Sequence, residues 1–209
     1  MADFFLHPDI LIASLFDEYG LIAFALFFLV IFCETGLIVM PFLPGDSLLF
    51  TVGALLARTV APDGGKMLLI LGIGASIAAI LGDAVNYAIG YRMGPIIFSK
   101  EGTRFLNLNH LSRAHLFYQQ HGGKTIIMAR FIPIIRTFAP FVAGMGKMVY
   151  WRFAVYNVTG GIAWVVLFMV GGYGFGNVPI IKNNMTFVVL AIIIISILPG
   201  LFEFAKKRT

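Results

Sequence analysis

From Phe153 to Ile181 the chain contains no charged residue. A helix needs roughly 20 apolar residues to cross the hydrocarbon core of a bilayer, so this run is long enough to span one. A second long run, Met67–Tyr91, is interrupted by a single charge, Asp83. These two runs predict that the chain folds inside a membrane.

The composition agrees with a membrane location. Of the 209 residues, 59% are hydrophobic and 12% are charged, and the mean hydropathy is +0.92. Soluble domains carry about twice that share of charged residues, so a soluble domain is excluded. The length allows roughly four to six spanning helices. We therefore predict an all-α membrane protein, a helical bundle in which residues 1–209 form a single polytopic domain.

Two apolar segments, Glu34–Ala57 and Thr125–Gly146, are interrupted by helix-breaking residues. A proline lacks an amide donor and restricts the residue before it. The apolar pieces on either side are too short to cross a bilayer, which predicts two re-entrant hairpins. Irregular backbone at this depth is tolerated only where protein or water covers it. The residues predicted to break the hairpins are Pro41, Pro44, Gly45, Pro133 and Pro140.

An internal repeat accompanies these two segments. The pattern Gly-Tyr-x-x-Gly ends an apolar run at Gly90–Gly94 and again at Gly172–Gly176. We predict two repeats of opposite orientation, 19–94 and 125–176, joined by a cytoplasmic loop, 95–124, and followed by a C-terminal span, 183–204. Paired broken segments in two halves indicate the binding site of a transporter. The glycine spacing is also typical of close helix packing, and the two interpretations are compatible.

The distribution of basic residues indicates orientation. The formal net charge is +5, but Lys and Arg cluster at the ends of apolar runs. This clustering is typical of membrane orientation rather than of nucleic-acid binding. The polar stretch Arg92–Lys124 and the C-terminal Lys206–Arg208 are predicted to be cytoplasmic, and no nucleic-acid partner is expected.

Five ionisable residues lie within the apolar sequence. A charge at bilayer depth costs about 2.5–3.5 kcal/mol on insertion scales, so such residues usually face a partner, a cavity or a substrate. The acids come from the first half of the chain and the arginines from the second. They predict a buried polar site, and the residues are Glu34, Asp46, Asp83, Arg130 and Arg136.

Each of these residues has a structural and a functional interpretation. The acids can brace a hairpin or, for Asp83, a helix contact, or they can load and release protons as buried carboxyl groups. The arginines can neutralise internal acids, or they can grip a phosphate or carboxylate with the planar guanidinium fork. Thr137 and the free amides beside the prolines would complete an anion site. The functional interpretation therefore assigns Glu34, Asp46 and Asp83 to proton coupling and Arg130, Arg136 and Thr137 to an anionic headgroup.

Motifs of enzymes and metal sites are missing from the sequence. All four histidines lie outside the apolar runs, and the single cysteine, Cys33, excludes an internal disulfide. There is no nucleotide-binding loop, Ser/His/Asp order or zinc spacing. We expect no cofactor, no metal and no catalytic activity.

The charged residues lie in four distinctive motifs. They are Phe-Cys-Glu34-Thr-Gly, Pro41-Phe-Leu-Pro-Gly-Asp46-Ser, Gly82-Asp83-Ala-Val-Asn-Tyr and Ala-Arg130-Phe-Ile-Pro133-Ile-Ile-Arg136-Thr-Phe-Ala-Pro140. In these motifs the chain strongly resembles the bacterial DedA family. The resemblance covers nearly the whole chain and implies two facing re-entrant hairpins, a relation to VTT-domain lipid scramblases and a place in the bacterial inner membrane. It also implies a link to the proton gradient and to undecaprenyl phosphate, and functional roles for Glu34, Asp46, Arg130 and Arg136.

We therefore expect a multi-pass lipid flippase with a cytoplasmic C-terminus, which moves undecaprenyl phosphate and uses protons. The headgroup would bind the arginines between the two hairpin tips. Three alternatives stay open: a proton-coupled small-ion transporter, a non-transport membrane-assembly factor, and an intramembrane phosphatase. Buried arginines would repel a cation, and a phosphatase would need a histidine near them.

Overall fold

The computed structural model describes residues 20–37, 45–58, 63–99, 124–130, 132–192 and 194. Within these residues all regular structure is helical, which confirms the predicted all-α class. The helices with described bounds are α1 (Leu21–Gly36), α2 (Gly45–Arg58), α3 (Asp63–Ser99), α4 (Lys124–Ala129), α5 (Pro133–Met145), α6 (Tyr150–Phe175) and α7 (Pro179–Asn183). Residues 185–192 and 194 are helical as well.

Helices α3 and α6 have the length and composition of membrane spans. The apolar stretches are Gly64–Gly94 in α3 and Tyr150–Phe175 in α6. Each helix exposes a row of large apolar side chains, mostly at intervals of three or four residues, a lipid-facing stripe that would be unfavourable in water. The exposed residues are Leu69, Ile70, Ile73, Ile77, Leu81 and Val85 on α3, and Trp151, Val155, Val158, Ile162, Val166 and Val170 on α6.

The described residues form two compact units. The first unit comprises the described parts of 1–31, 43–78 and 163–209, and the second comprises those of 32–42 and 79–162. Helices α1, α3 and α6 contribute residues to both units. Helix α2 belongs to the first unit, and helices α4 and α5 belong to the second.

In the first unit, α2 packs against α6 with backbone-to-backbone contact at two glycines. A Cβ atom on Gly53 would overlap the carbonyl oxygen of Met169, and one on Gly172 would overlap the carbonyl oxygen of Phe50. A Cβ atom on Gly176 would lie 2.7 Å from Ala54 Cα. Small residues at such a crossing let two backbones approach closely, as is typical of helix pairs in membranes.

The second unit repeats this contact between α5 and α3. A Cβ atom on Gly144 would overlap the carbonyl oxygen of Tyr87, and one on Gly90 would overlap that of Phe141. In both units each glycine meets the carbonyl three residues before the partner glycine. We call α2 and α5 the arm helices. Each arm helix packs on a span from the other predicted repeat, α2 on α6 and α5 on α3.

Two sequence predictions differ from the structure: the helix break at Pro140 and the start of the cytoplasmic loop at residue 95. Pro140 lies inside α5, which continues through it, so the expected break at Pro140 is wrong. One missing N–H interrupts a single turn of the ladder, and packing on α3 keeps the helix intact. Pro133 occupies the first turn of α5, where a missing N–H has no cost. Helix α3 runs to Ser99, past the predicted start of the cytoplasmic loop at 95.

Other predictions fall outside the described residues. Gly45 begins α2, but Pro41 and Pro44 lie outside the described ranges. Most of the predicted loop 95–124, the basic C-terminus and residues 195–204 of the C-terminal span lie outside them as well.

We expect Gly53→Ala and Gly144→Ala to destabilise the protein, because each methyl group would overlap a backbone carbonyl that cannot rotate away. Overpacking of this kind costs about 1–3 kcal/mol. Thermal unfolding in detergent measures the effect. Gly174→Ala is the matched control, since a Cβ atom at Gly174 meets nothing within 4 Å. Equal melting temperatures for all three variants would contradict close arm packing.

Candidate functional site

Arg136 and Glu34 form a buried ion pair in the second unit. Arg136 Nη2 donates to Glu34 Oε1, and the two residues are 4% and 0% exposed. Glu34 lies in the last turn of α1, and Arg136 lies in the first turn of α5. Helix α1 approaches α3 closely at this point, because a Cβ atom on Gly82 would lie 2.7 Å from the Phe32 carbonyl oxygen.

Arg130 and Asp83 form a second buried ion pair in the same unit. Arg130 Nη2 donates to Asp83 Oδ2, and the residues are 2% and 1% exposed. Arg130 follows α4 directly, at a turn closed by the hydrogen bond from Ile132 N to the Ala129 carbonyl, 3.0 Å. Asp83 lies in the middle of α3.

Two buried asparagines support these ion pairs. Asn86 Nδ2 donates to the carbonyls of Thr35, at 3.1 Å, and Thr137, at 2.7 Å. These carbonyls follow Glu34 and Arg136 directly, so one amide ties both ends of the first pair to α3. Asn157 Oδ1 accepts from Arg130 Nη2 at 2.8 Å.

Asp46 lies in the first unit and has a different partner. It is in the first turn of α2, 8% exposed, and its Oδ1 accepts a hydrogen bond of 2.7 Å from Trp164 Nε1 on α6. An indole N–H only donates, so the Asp46 oxygen is the acceptor in this contact. Ser47 lies in the same first turn, and its carbonyl oxygen accepts a hydrogen bond of 2.7 Å from the Thr51 hydroxyl.

The second unit therefore brings together Glu34, Asp83, Arg130 and Arg136, and Thr137 accepts from Asn86 through its main chain. Sequence reasoning missed the roles of Asn86, Asn157 and Trp164. The sequence does indicate these residues, because each is a polar group inside an apolar span. Such a group requires a hydrogen-bond partner, as a buried charge does. Within the described ranges, no three His, Cys, Asp or Glu side chains are placed to hold a metal ion.

The chemistry open to this arrangement is exchange of anions. Each guanidinium is neutralised by one carboxylate in an apolar interior, where an uncompensated charge is strongly unfavourable. A phosphate or carboxylate ligand offers the same planar pair of oxygens as Asp or Glu and can replace one of them. The carboxyl group that is displaced must then take up a proton or find another cation.

Comparison with known proteins places the chain in a family. The VTT domain family matches residues 43–174. Protein DedA of Escherichia coli is 50% identical over 208 residues, which cover 100% of this chain and 94% of that protein. A membrane protein of Mycobacterium leprae is 42% identical over 82% of this chain and 75% of its own length.

A further relative is the inner membrane protein YqjA of Escherichia coli, which is 34% identical over 77% of this chain and 70% of its own length. No solved structure matches the chain. The fold and these relatives define a VTT-domain membrane protein. Within that class, the chain belongs to the DedA family.

We expect Asp83→Leu and Arg130→Met each to lower the free energy of unfolding by about 3–5 kcal/mol, because each leaves a buried charge without its partner. The double variant should recover most of that loss, since it removes both charges. Arg152→Met, at an exposed arginine on α6, is the control and should change stability by less than about 0.5 kcal/mol. Additive losses in the double variant would mean that the two charges do not neutralise each other.

Proposed function

We propose that the protein transports an anionic lipid across the bacterial inner membrane, that the lipid is undecaprenyl phosphate, and that the proton gradient drives the transport. The single observation that carries this proposal is the pair of buried Arg–carboxylate contacts in one unit, Arg136 with Glu34 and Arg130 with Asp83. Ionisable residues in a membrane interior are costly and usually mark a substrate pathway or a proton relay.

The arginines supply the headgroup site. A guanidinium remains protonated under all conditions and binds phosphate in a bidentate manner. In the absence of lipid, Glu34 occupies on Arg136 the place that phosphate oxygens take when lipid binds. Only the headgroup needs this polar environment, because the polyprenyl tail stays in the bilayer. A small helical bundle is sufficient for such a substrate.

Charge balance links the lipid to a proton. With Arg136 on Glu34, the pair is neutral. When a phosphate monoanion replaces Glu34 on Arg136, the Glu34 carboxylate is left without a cation in an apolar interior. Uptake of one proton by Glu34 then restores neutrality. Anion and proton are therefore taken up together and released together. A gradient directed into the cell then drives the lipid from the outer to the inner leaflet, the direction that recycling requires.

The dimensions of the arm helices support a re-entrant arrangement. Helix α2 has 14 residues and helix α5 has 13, which at 1.5 Å per residue gives each about 20 Å. The hydrocarbon core is about 30 Å thick, so neither arm helix can cross it. We infer that both enter the membrane and return on the same side, with the C-terminus in the cytoplasm.

A role as an assembly factor is the second candidate, since buried ion pairs can also serve only to hold helices together. The asparagine contacts to Thr35 and Thr137 would suit that role equally well. Transport activity of the purified protein separates the two functions. A small-cation transporter is less well supported, because two buried arginines repel a cation.

We expect Arg136→Ala to abolish translocation of undecaprenyl phosphate in liposomes, and Arg130→Ala to do the same. Arg136→Lys should recover little activity, because an ammonium group lacks the bidentate fork. The measurement compares lipid movement with and without an imposed pH gradient. Arg152→Lys, at an exposed site, is the control for loss of a guanidinium. Wild-type translocation by Arg136→Ala would rule out the phosphate role.

We expect Glu34→Gln and Asp46→Asn to insert and fold but to lose gradient-driven accumulation of lipid, because an amide cannot exchange a proton. Any residual lipid movement in these variants should not respond to pH. If both variants move lipid at the wild-type rate with an unchanged response to the gradient, Asp83 becomes the remaining proton site. Loss of that response in Asp83→Asn would identify it, and no loss would leave a gradient-independent scramblase.

A further inference from the structure

The two terminal nitrogens of Arg130 have different surroundings. Nη2 donates to Asp83 Oδ2 and, at 2.8 Å, to Asn157 Oδ1. Nη1 is buried and has no hydrogen-bond partner among the described residues. Leaving a buried, charged N–H group without an acceptor is unfavourable, so this nitrogen is a candidate contact for a ligand.

Asn157 fixes the guanidinium in this position. The asparagine is 1% exposed, and its Nδ2 donates to the Ile80 carbonyl on α3 at 2.9 Å. Reversing the amide would direct its NH₂ group at the guanidinium and its oxygen at a carbonyl oxygen, and both contacts are repulsive. The amide therefore has one favourable orientation, in which it ties Arg130 to the helix that carries Asp83.

Gly161 accommodates the other nitrogen. A Cβ atom on Gly161 would lie 2.6 Å from Arg130 Nη1. Residues four apart share a helix face, so Asn157 and Gly161 are neighbours on the side of α6 that faces Arg130. Helix α6 thus holds Nη2 with an amide and presents a glycine to Nη1.

We propose that Asn157 is a positioning residue that keeps Arg130 on Asp83 through Nη2, so that Nη1 remains available to an oxygen of a phosphate headgroup. This inference rests on the proposed transport of an anionic lipid and specifies which nitrogen of Arg130 binds the headgroup. Arg130 binds the headgroup without leaving Asp83, so no ion pair has to break at this position.

The kinetic test uses Asn157→Asp and Asn157→Leu in liposomes with undecaprenyl phosphate. The new carboxylate in Asn157→Asp competes with the anion for Arg130, and the half-saturating lipid concentration should rise about tenfold while the maximal rate changes less. Asn157→Leu lets Arg130 turn both nitrogens toward Asp83 and should cause a smaller rise. Asn184→Asp adds the same charge at an exposed site and should have no effect. A half-saturating concentration within twofold of the wild type in Asn157→Asp would overturn the proposal.

Gly161→Ala tests the same geometry with Asn157 intact. The added methyl group displaces the guanidinium from its present position, and the half-saturating concentration should rise as it does in Asn157→Asp. This variant matters if Asn157→Asp does not fold. A folded Gly161→Ala protein with unchanged saturation would count against the proposal.

A spectroscopic measurement separates this inference from the transport proposal. Side-chain proton–nitrogen spectra of 15N-arginine-labelled protein in detergent, assigned with Arg130→Lys, report Nη1 and Nη2 individually. A short-chain polyprenyl phosphate should shift the Nη1 signal and leave the Nη2 signal in place, and Asn157→Leu should move the Nη2 signal before ligand is added. This result without lipid movement in liposomes supports the positioning role and refutes transport. A ligand-induced shift of Nη2, or no shift at all, refutes the positioning role whatever the transport result.

Discussion

Burying a guanidinium in an apolar interior requires a carboxylate beside it, and much of the second unit is organised to provide one. Two arginines lie on either side of the turn that begins α5, and each reaches an acid on a different helix: Arg136 reaches Glu34 on α1, and Arg130 reaches Asp83 on α3. The asparagine Asn86 then ties the neighbouring carbonyls together. Removing any one of these charges leaves its partner exposed to a low-dielectric interior, so the charges depend on one another.

The sequence was a reliable guide wherever a length or a periodicity decides the structure. The thickness of a bilayer sets the length of a span, and α3 and α6 satisfy it. The five buried charges were also identifiable, because charge is rare and costly in apolar sequence. The family match over residues 43–174 confirms the resemblance that their motifs indicated.

The pairing of those charges was beyond sequence reasoning, since it depends on which helices meet. Glu34 and Asp46 look equivalent as acids beside a proline-rich break. One is paired with an arginine, and the other accepts a hydrogen bond from Trp164 in a different unit. The supporting asparagines were hard to recognise for a related reason. A neutral amide carries no charge to mark it, and its importance appears only with its two partners in place. Pro140 was misread because tertiary packing can hold a helix through one missing hydrogen bond.

The exchange of arm helices between the two repeats has a consequence for the order in which the chain folds. The glycines of the α2–α6 contact, Gly53 and Gly172, are 119 residues apart in sequence (172 − 53), whereas those of the α5–α3 contact, Gly144 and Gly90, are 54 apart (144 − 90). During synthesis, α5 emerges when α3 already exists and can dock at once. Helix α2 must wait until α6 has been made. The first half therefore holds an unfinished interface while the segments between α2 and α6 are synthesised, and α6 completes it.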